Sequence, residues 1–305
     1  MEAEFLSWLR GQLPGHPRLR LGIGDDAAIL ELASGARCVV TSDMLNDGVD
    51  FVWDQCEGPL VGRKSLAVNL SDLAAMAAQP LAAVVSLTLP RHNALAVGRQ
   101  LYQGLLPLAA EFGVAIAGGD TGSWDGPLVI SIAAIGELTA RGPLLRSGAQ
   151  PGDAIVVTGS FGGSILGRHF RFTPRVHEAL LLNDRYRLHA ATDVSDGLSL
   201  DLSHITQESG CGAQLEAAAV PVADDAYRVA AAEGDRMTPL EHALGDGEDF
   251  ELILAVPPQE AARLLDDQPL DVPLTRIGTF TAERGLWIEE PGGRRHTLAP
   301  RGYEH

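Results

Sequence analysis

The sequence predicts an α/β protein built from two successive α/β units, and three observations predict it. Apolar, strand-like runs alternate with helix-like segments along the whole chain, the order expected of layered α/β units. At 305 residues the chain exceeds the roughly 250–300 residues at which a single core stops growing. Residues 139–152, TARGPLLRSGAQPG, are rich in Gly, Pro and Arg and read as a linker between a first unit at 1–138 and a second at 153–305.

The elements follow in order. MEAEFLSWLRGQL reads as a short, acidic, amphipathic helix, without the basic start and apolar centre of a secretory signal. Strands are predicted at 19–21, in the run AAILEL and in CVVTSDML. Residues 58–78 read as a buried helix of small side chains, and 94–112 as a helix with apolar residues at helical spacing. Between and after them AAVVSLTLP, VAIAGGDTG and PLVISIAAIGEL read as strands. The second unit begins with a strand at 154–158 and a glycine-rich turn, GSFGGS, expected to lead into a helix. Further strands are expected at 191–193, 214–217, 250–256 and 274–279.

Composition narrows the partners. A net charge of −17 repels nucleic-acid phosphates and anionic membranes, so neither is expected as a partner. No apolar run approaches the roughly 20 residues of a membrane helix. Cys38, Cys56 and Cys211 are far apart with no CxxC spacing, which argues against a zinc site or a disulfide framework. A cytoplasmic location is the expectation.

Two nucleotide-binding patterns are decoys. GIGDDA at 22–27 matches GxGxxA, but a strand-like run follows where a helix N-terminus should, and Asp25 and Asp26 would repel a bare pyrophosphate. GPLVGRKS at 58–65 is one residue short of a Walker loop, has Arg63 in place of its second glycine, and reads as the start of a helix.

The chemistry is expected in the carboxylates. Asp25 and Asp26, Asp43, Asp120, and Asp193 with Asp196 stand beside glycines or small polar residues at the ends of apolar strands. Asp72 differs: it lies in a helix of small apolar residues, on one face with Ser65 and Asn69 at i, i+4, i+7 spacing. Any one Asp could simply serve a turn or a helix N-cap. An Asp in so apolar a helix needs a partner. Hard oxygen ligands from several elements, with no thiolate nearby, favour Mg²⁺ together with a polyphosphate.

Seven blocks in this order, GIGDDAA, TSDML, GRKSLAVNLSDLAAMAAQP, AGGDTG, RSGAQPGD, DVSDGLSLDL and GEDFEL, resemble the thiamine-monophosphate kinase family. That family is a branch of the superfamily of aminoimidazole ribonucleotide synthetase and selenophosphate synthetase. The resemblance implies two α/β domains, and a homodimer whose N-terminal sheets pair across the interface. It also implies direct in-line transfer of the ATP γ-phosphoryl group to thiamine monophosphate, assisted by several Mg²⁺ ions. Carried over by motif, Asp26, Thr41, Ser42, Asp43, Asp72, Asp120, Asp193 and Asp196 are the expected metal ligands. Gly119, Asp120, Arg146 and Ser195 are expected at ATP; Asp50, Glu248 and Tyr303 are expected at the substrate. Relatives commonly read GVHF where this chain reads GVDF, so Asp50 replaces a histidine expected to donate to the substrate phosphate. They also read GGEDYEL against GDGEDFEL here, and often carry an aromatic beyond the closing motif, where this sequence ends Gly302-Tyr303-Glu304-His305. Rival readings are a sister ATP-dependent synthetase acting on another substrate, and a metal-binding protein without catalysis.

Overall fold

The computed structural model describes residues 18–21, 25–32 and 35–303. The helix expected at the N-terminus and the glycines of GIG lie outside these residues.

The first unit is a six-stranded sheet in the order β1-β2-β3-β6-β4-β5. Its strands are β1 (Leu19–Leu21), β2 (Ala28–Glu31), β3 (Arg37–Asn46), β4 (Ala78–Pro90), β5 (Ala115–Trp124) and β6 (Val129–Leu138). Neighbours run antiparallel except β4 and β5. Helices α1 (Gly58–Ala75) and α2 (Ala94–Glu111) accompany it.

Alternation along the strands gives the sheet two unlike faces. Val85 pairs with Ile132, and Ile132 with Asp43. Val39, Val85, Leu87, Ile130 and Ile132 are buried in one core with Leu66, Leu70 and Leu73 of α1. The next row joins Met44, Ser131, Ser86 and Asp120, and there Met44 is 59% exposed. Thr41 and Asp43 thus point to the covered face of β3, and Ser42 and Met44 to the open one.

The second unit is a seven-stranded sheet in the order β13-β12-β9-β11-β7-β10-β8. Its strands are β7 (Ala154–Thr158), β8 (Ala190–Asp193), β9 (Gly212–Glu216), β10 (Leu252–Val256), β11 (Leu274–Thr281), β12 (Gly285–Glu289) and β13 (Arg295–Thr297). Only β9 and β12 pair in parallel. Helices α3 (Val176–Arg185), α4 (Leu198–Ser209), α5 (Asp224–Ala230), α6 (Pro239–Gly245) and α7 (Pro258–Asp267) complete it. GSFGGS does not lead straight into a helix: Gly162, Gly163 and Gly167 take positive φ, and two short 3-10 turns, Ser164–Leu166 and Arg168–Phe170, intervene. Strands β12 and β13 escape sequence reading; β13, Arg-His-Thr, is only three residues long and wholly exposed.

Helix α1 is the seam between the units. It is apolar on nearly every side, the pattern of a helix enclosed by protein, and 14 of its residues are buried: Gly58, Val61, Gly62, Lys64 to Ser71, and Leu73 to Ala75. A Cβ on Gly62 would lie 1.9 Å from the Leu101 carbonyl oxygen, and one on Gly104 1.7 Å from that of Pro59. Glycine at both positions lets α1 and α2 touch backbone to backbone. Across the seam, alternate residues of β7 divide between two cores. Val156 joins the core shared with the first unit, while Ile155 and Val157 face a separate core with Leu198, Leu202 and Ile205 of α4. Residues 139–152 contain no helix or strand.

Candidate active site

Carboxylates from three elements meet where α1 lies between β3 and β8. Asp26, Asp72 and Asp193 each offer an oxygen, and these oxygens lie within 4.8 Å of one another. Thr41 Oγ1 donates to Asp72, and Ser71 Oγ donates across the seam to Asp193. Burial, and then repulsion from neighbouring aspartates, raises the pKa of Asp72 and of Asp193 well above the carboxylate range. Thr41 and Ser71 oppose that rise only in part.

A second group adjoins the first. Asp43, on the covered face of β3, is pushed up to about 6 by burial and by the charges of Asp50 and Asp196. Asp201 accepts from the backbone N–H groups of Asp196 and Gly197, each at 3.0 Å, and so shapes the loop that presents Asp196. The C-terminal segment returns here, with Tyr303 N donating to Asp196 O at 3.0 Å.

Two buried oxygens in this region, Asp26 Oδ2 and Asp43 Oδ2, have no hydrogen-bond partner. Buried acceptors left bare are costly, and a divalent cation is the species that satisfies several at once. The donors are hard oxygens without thiolate or imidazole, which fits Mg²⁺ and disfavours zinc.

Arg146 closes one side of the cluster. Its Nε donates to Asp26 Oδ1 at 3.1 Å, and Thr192 Oγ1 reaches the same oxygen at 3.0 Å. Burial would lower the arginine's pKa, but Asp26 outweighs it and raises it, so the guanidinium stays charged. The Arg146 backbone N–H donates to Asp25, whose own pKa burial and Asp26 raise to about 7. The RSG segment of the linker is therefore pinned to the two aspartates of GIGDDAA.

Glu248 lies at the other end of α1. Its carboxylate pairs with Lys64 Nζ at 2.6 Å and with His169 Nδ1 at 2.8 Å. Burial alone would raise its pKa, yet His169 and Lys64 together hold it below the ordinary value. Its φ of +52°, uncommon for a non-glycine residue, and its 2.6 Å backbone bond to Ser195 O set it in the loop beside Ser195.

The structure separates some of the expected ligands. Ser42 is exposed, on the opposite face of β3 from Thr41 and Asp43. Asp120 lies on exposed β5, where its Oδ1 accepts from Thr121 N at 2.8 Å. That strand is three places from β3, roughly 14 Å across the sheet, and Asp120 shares the open face with Met44. Gly119 packs on β4 so closely that a Cβ would lie 1.8 Å from Val85 O. Ser65 and Asn69 turn back onto their own helix, bonding Gly62 O and Ser65 O, so Asp72 alone of that face reaches the cluster. Ser71, Thr192, Lys64 and His169 were not predicted. Lys64 carried a usable signal, being a cation beside Arg63 in the same apolar helix as Asp72.

Two mixed sheets, a helical seam and carboxylates converging on it define a class. Residues 24–138 match the family model for the N-terminal domain of AIR synthase related proteins, and residues 150–289 that for the C-terminal domain. Within that class the chain is 44% identical to the thiamine-monophosphate kinase of Rhodopirellula baltica, over 100% of this chain and 97% of that protein. It is 36% identical to the thiamine-monophosphate kinase of Escherichia coli K12, over 94% and 92%. The chain belongs to the thiamine-monophosphate kinase family. Its fold superposes on solved AaThiL complexed with AMPPCP and TMP at a TM-score of 0.85 and 26% identity, covering 100% of this chain and 96% of that one.

Proposed function

We propose that this enzyme transfers the γ-phosphoryl group of ATP directly to the phosphate of thiamine monophosphate, giving thiamine diphosphate and ADP. The observation that carries this reading is the Asp26–Asp72–Asp193 cluster with the bare buried oxygens of Asp26 and of Asp43 beside it, in a chain so similar to thiamine-monophosphate kinases. Phosphoryl transfer between two polyanions depends on positioning and on neutralising charge. Asp26, Asp72 and Asp193, with Thr41, Asp43 and Asp196 beside them, would hold Mg²⁺, which neutralises and orients the phosphates when bound. Arg146, already charged at the cluster, supplies a forked donor to phosphate oxygens. Ser195 stands in the loop between metal ligand and substrate carboxylate. Glu248 presents a fixed anion to the cationic thiazolium of the substrate. The metal reading rests on the covered-face groups, since Ser42 and Asp120 face away.

The open face of the first sheet supports a homodimer. Met44, Val84 and Trp124 stand exposed on it, and an apolar sheet face of this kind suits a second copy related by a two-fold axis.

Thiamine diphosphate formation, followed with Mg²⁺ and ATP against a panel of phosphate acceptors, tests the reading. Product is expected with thiamine monophosphate and lost on chelation of Mg²⁺. Product from another acceptor alone would move the chain to a sister activity, and no turnover with any acceptor would leave a metal-binding protein.

Asp50 is the second test. Its Oδ2 accepts from Asn46 N at 2.6 Å, closing the 46–51 turn, so the carboxylate is engaged with its own backbone. Replacement by histidine removes a negative charge that is felt at Asp43, beside the proposed phosphate site, and supplies a donor. Asp50→His is therefore expected to lower KM for thiamine monophosphate, with a loss of about 1 kcal/mol in stability from the turn bond. A large rise in KM at saturating Mg²⁺ would instead make Asp50 a metal bridge to the substrate.

A further inference from the structure

Lys64 is completely buried at the point where α1 passes from the first unit to the second. Its ammonium lies 3.0 Å from the backbone carbonyl of Asp50, 2.6 Å from Glu248 Oε1 and 3.2 Å from His169 Nδ1. One cation therefore joins two segments that are far apart in sequence and both assigned to the substrate: the Asp50 turn and the Glu248 loop. His169 Nδ1 stands between ammonium and carboxylate, and can accept from one or donate to the other. The Lys64–Glu248 contact holds in both cases. Next to it, Arg63 Nη1 donates to Phe170 O at 3.3 Å, fastening the same 3-10 turn that carries His169.

A buried ion pair is seldom the most stable filling for such a space; apolar residues of similar volume often do as well or better. Its geometry here has another use. The Glu248 side chain is 33% exposed while that of Lys64 is 0% exposed, so the pair has a hidden cation and an accessible anion. Lys64 is wholly enclosed and directed to Asp50 O and Glu248, so it is not presented to a phosphate.

We propose that Lys64 is a positioning residue for thiamine recognition, fixing the Glu248 carboxylate as an anion toward the thiazolium and tying it to the Asp50 turn. This deepens the phosphotransferase reading and rests on it. Lys64 acts through Glu248, on binding of one substrate, and contributes little to the transfer step.

Lys64→Met is expected to raise KM for thiamine monophosphate about tenfold or more, with KM for ATP unmoved and kcat within about threefold, the pattern of lost uniform binding. Glu248→Gln should raise the same KM, and the double variant should be worse than Glu248→Gln by less than about threefold, because both changes remove one interaction. Lys64→Gln, which keeps a donor but no charge, should fall between wild type and Lys64→Met, and it serves if Lys64→Met does not fold. An unchanged KM for thiamine monophosphate, a loss confined to kcat, or fully multiplicative effects with Glu248→Gln would each overturn the assignment. Wild-type protein that makes no thiamine diphosphate sinks the functional reading and this inference with it. Active wild type with unaffected variants sinks the inference alone.

Discussion

Asp72→Asn is expected to lower turnover at least ~100-fold while making the metal-free protein more resistant to heat. A 100-fold loss corresponds to about 2.7 kcal/mol of transition-state stabilisation, a reasonable share for one anionic ligand in a site that works by neutralising phosphate charge. Stability should move the other way. Asp72 is pressed by burial and by the charges of Asp43, Asp193 and Asp26, and Thr41 answers only part of that. An asparagine has nearly the same volume, still accepts from Thr41 and carries no charge, so repulsion falls while packing on α1 is kept. Opposed changes of this kind mark a group kept for function at the expense of stability. The checks are turnover across a Mg²⁺ titration and a melting curve in chelator. Near-normal turnover at limiting Mg²⁺ would remove Asp72 from the ligand set, and a lowered Tm would give it a structural role.

Much of this architecture was legible in the sequence because local patterns carry it. Strands β3, β4, β6 and β7 are apolar runs bounded by turn residues, α1 is a long run of small, mostly apolar residues, and α2 keeps its apolar residues at helical spacing despite an internal Pro107. Asp72 was legible for a physical reason, since a charge in an apolar helix demands a partner. That argument applies equally to Lys64, whose partners Glu248 and His169 lie 184 and 105 residues away, so the sequence could flag the need but not the answer. The face a side chain takes was legible only with the register. Thr41, Ser42 and Asp43 read as one motif, yet strand alternation sends Ser42 to the open side. Asp120 matches its motif, and it is the order of strands, with β5 at the edge, that sets it apart from Asp43. GSFGGS misled because its glycines permit the αL turns at Gly162 and Gly163 that end in 3-10 geometry. Resemblance supplied what pattern could not, the identity of the acceptor.

Without metal, the protein is expected to melt about 5 °C or more lower at about pH 8 than at about pH 5.5, and Mg²⁺ should shrink or reverse that difference. Asp43 is raised to about 6, Asp25 to about 7 and Asp249 to about 8, and Asp72 and Asp193 are also raised, by burial and then by neighbouring aspartates. In the unfolded chain carboxyls ionise near pH 4. Between about pH 5 and pH 8 the folded state therefore binds more protons than the unfolded one, and stability falls as pH rises. For a chain of this size each kcal/mol moves Tm by roughly 2–4 °C, so even a fraction of the summed effect is measurable. On the proposed metal reading Mg²⁺ would bind the ionised carboxylates, and its contribution would grow with pH as fewer protons must be displaced. Asp249 should be outside its reach, since that carboxylate is held by Arg168 and by the Gly162 N–H, and a residual slope belongs to it. Calorimetry at both pH values, in chelator and in excess Mg²⁺, separates these contributions. A metal-free Tm that rises through the window would show that the cluster is ionised and already compensated by protein groups. An unchanged slope in Mg²⁺ would show that Asp26, Asp72 and Asp193 do not take the ion.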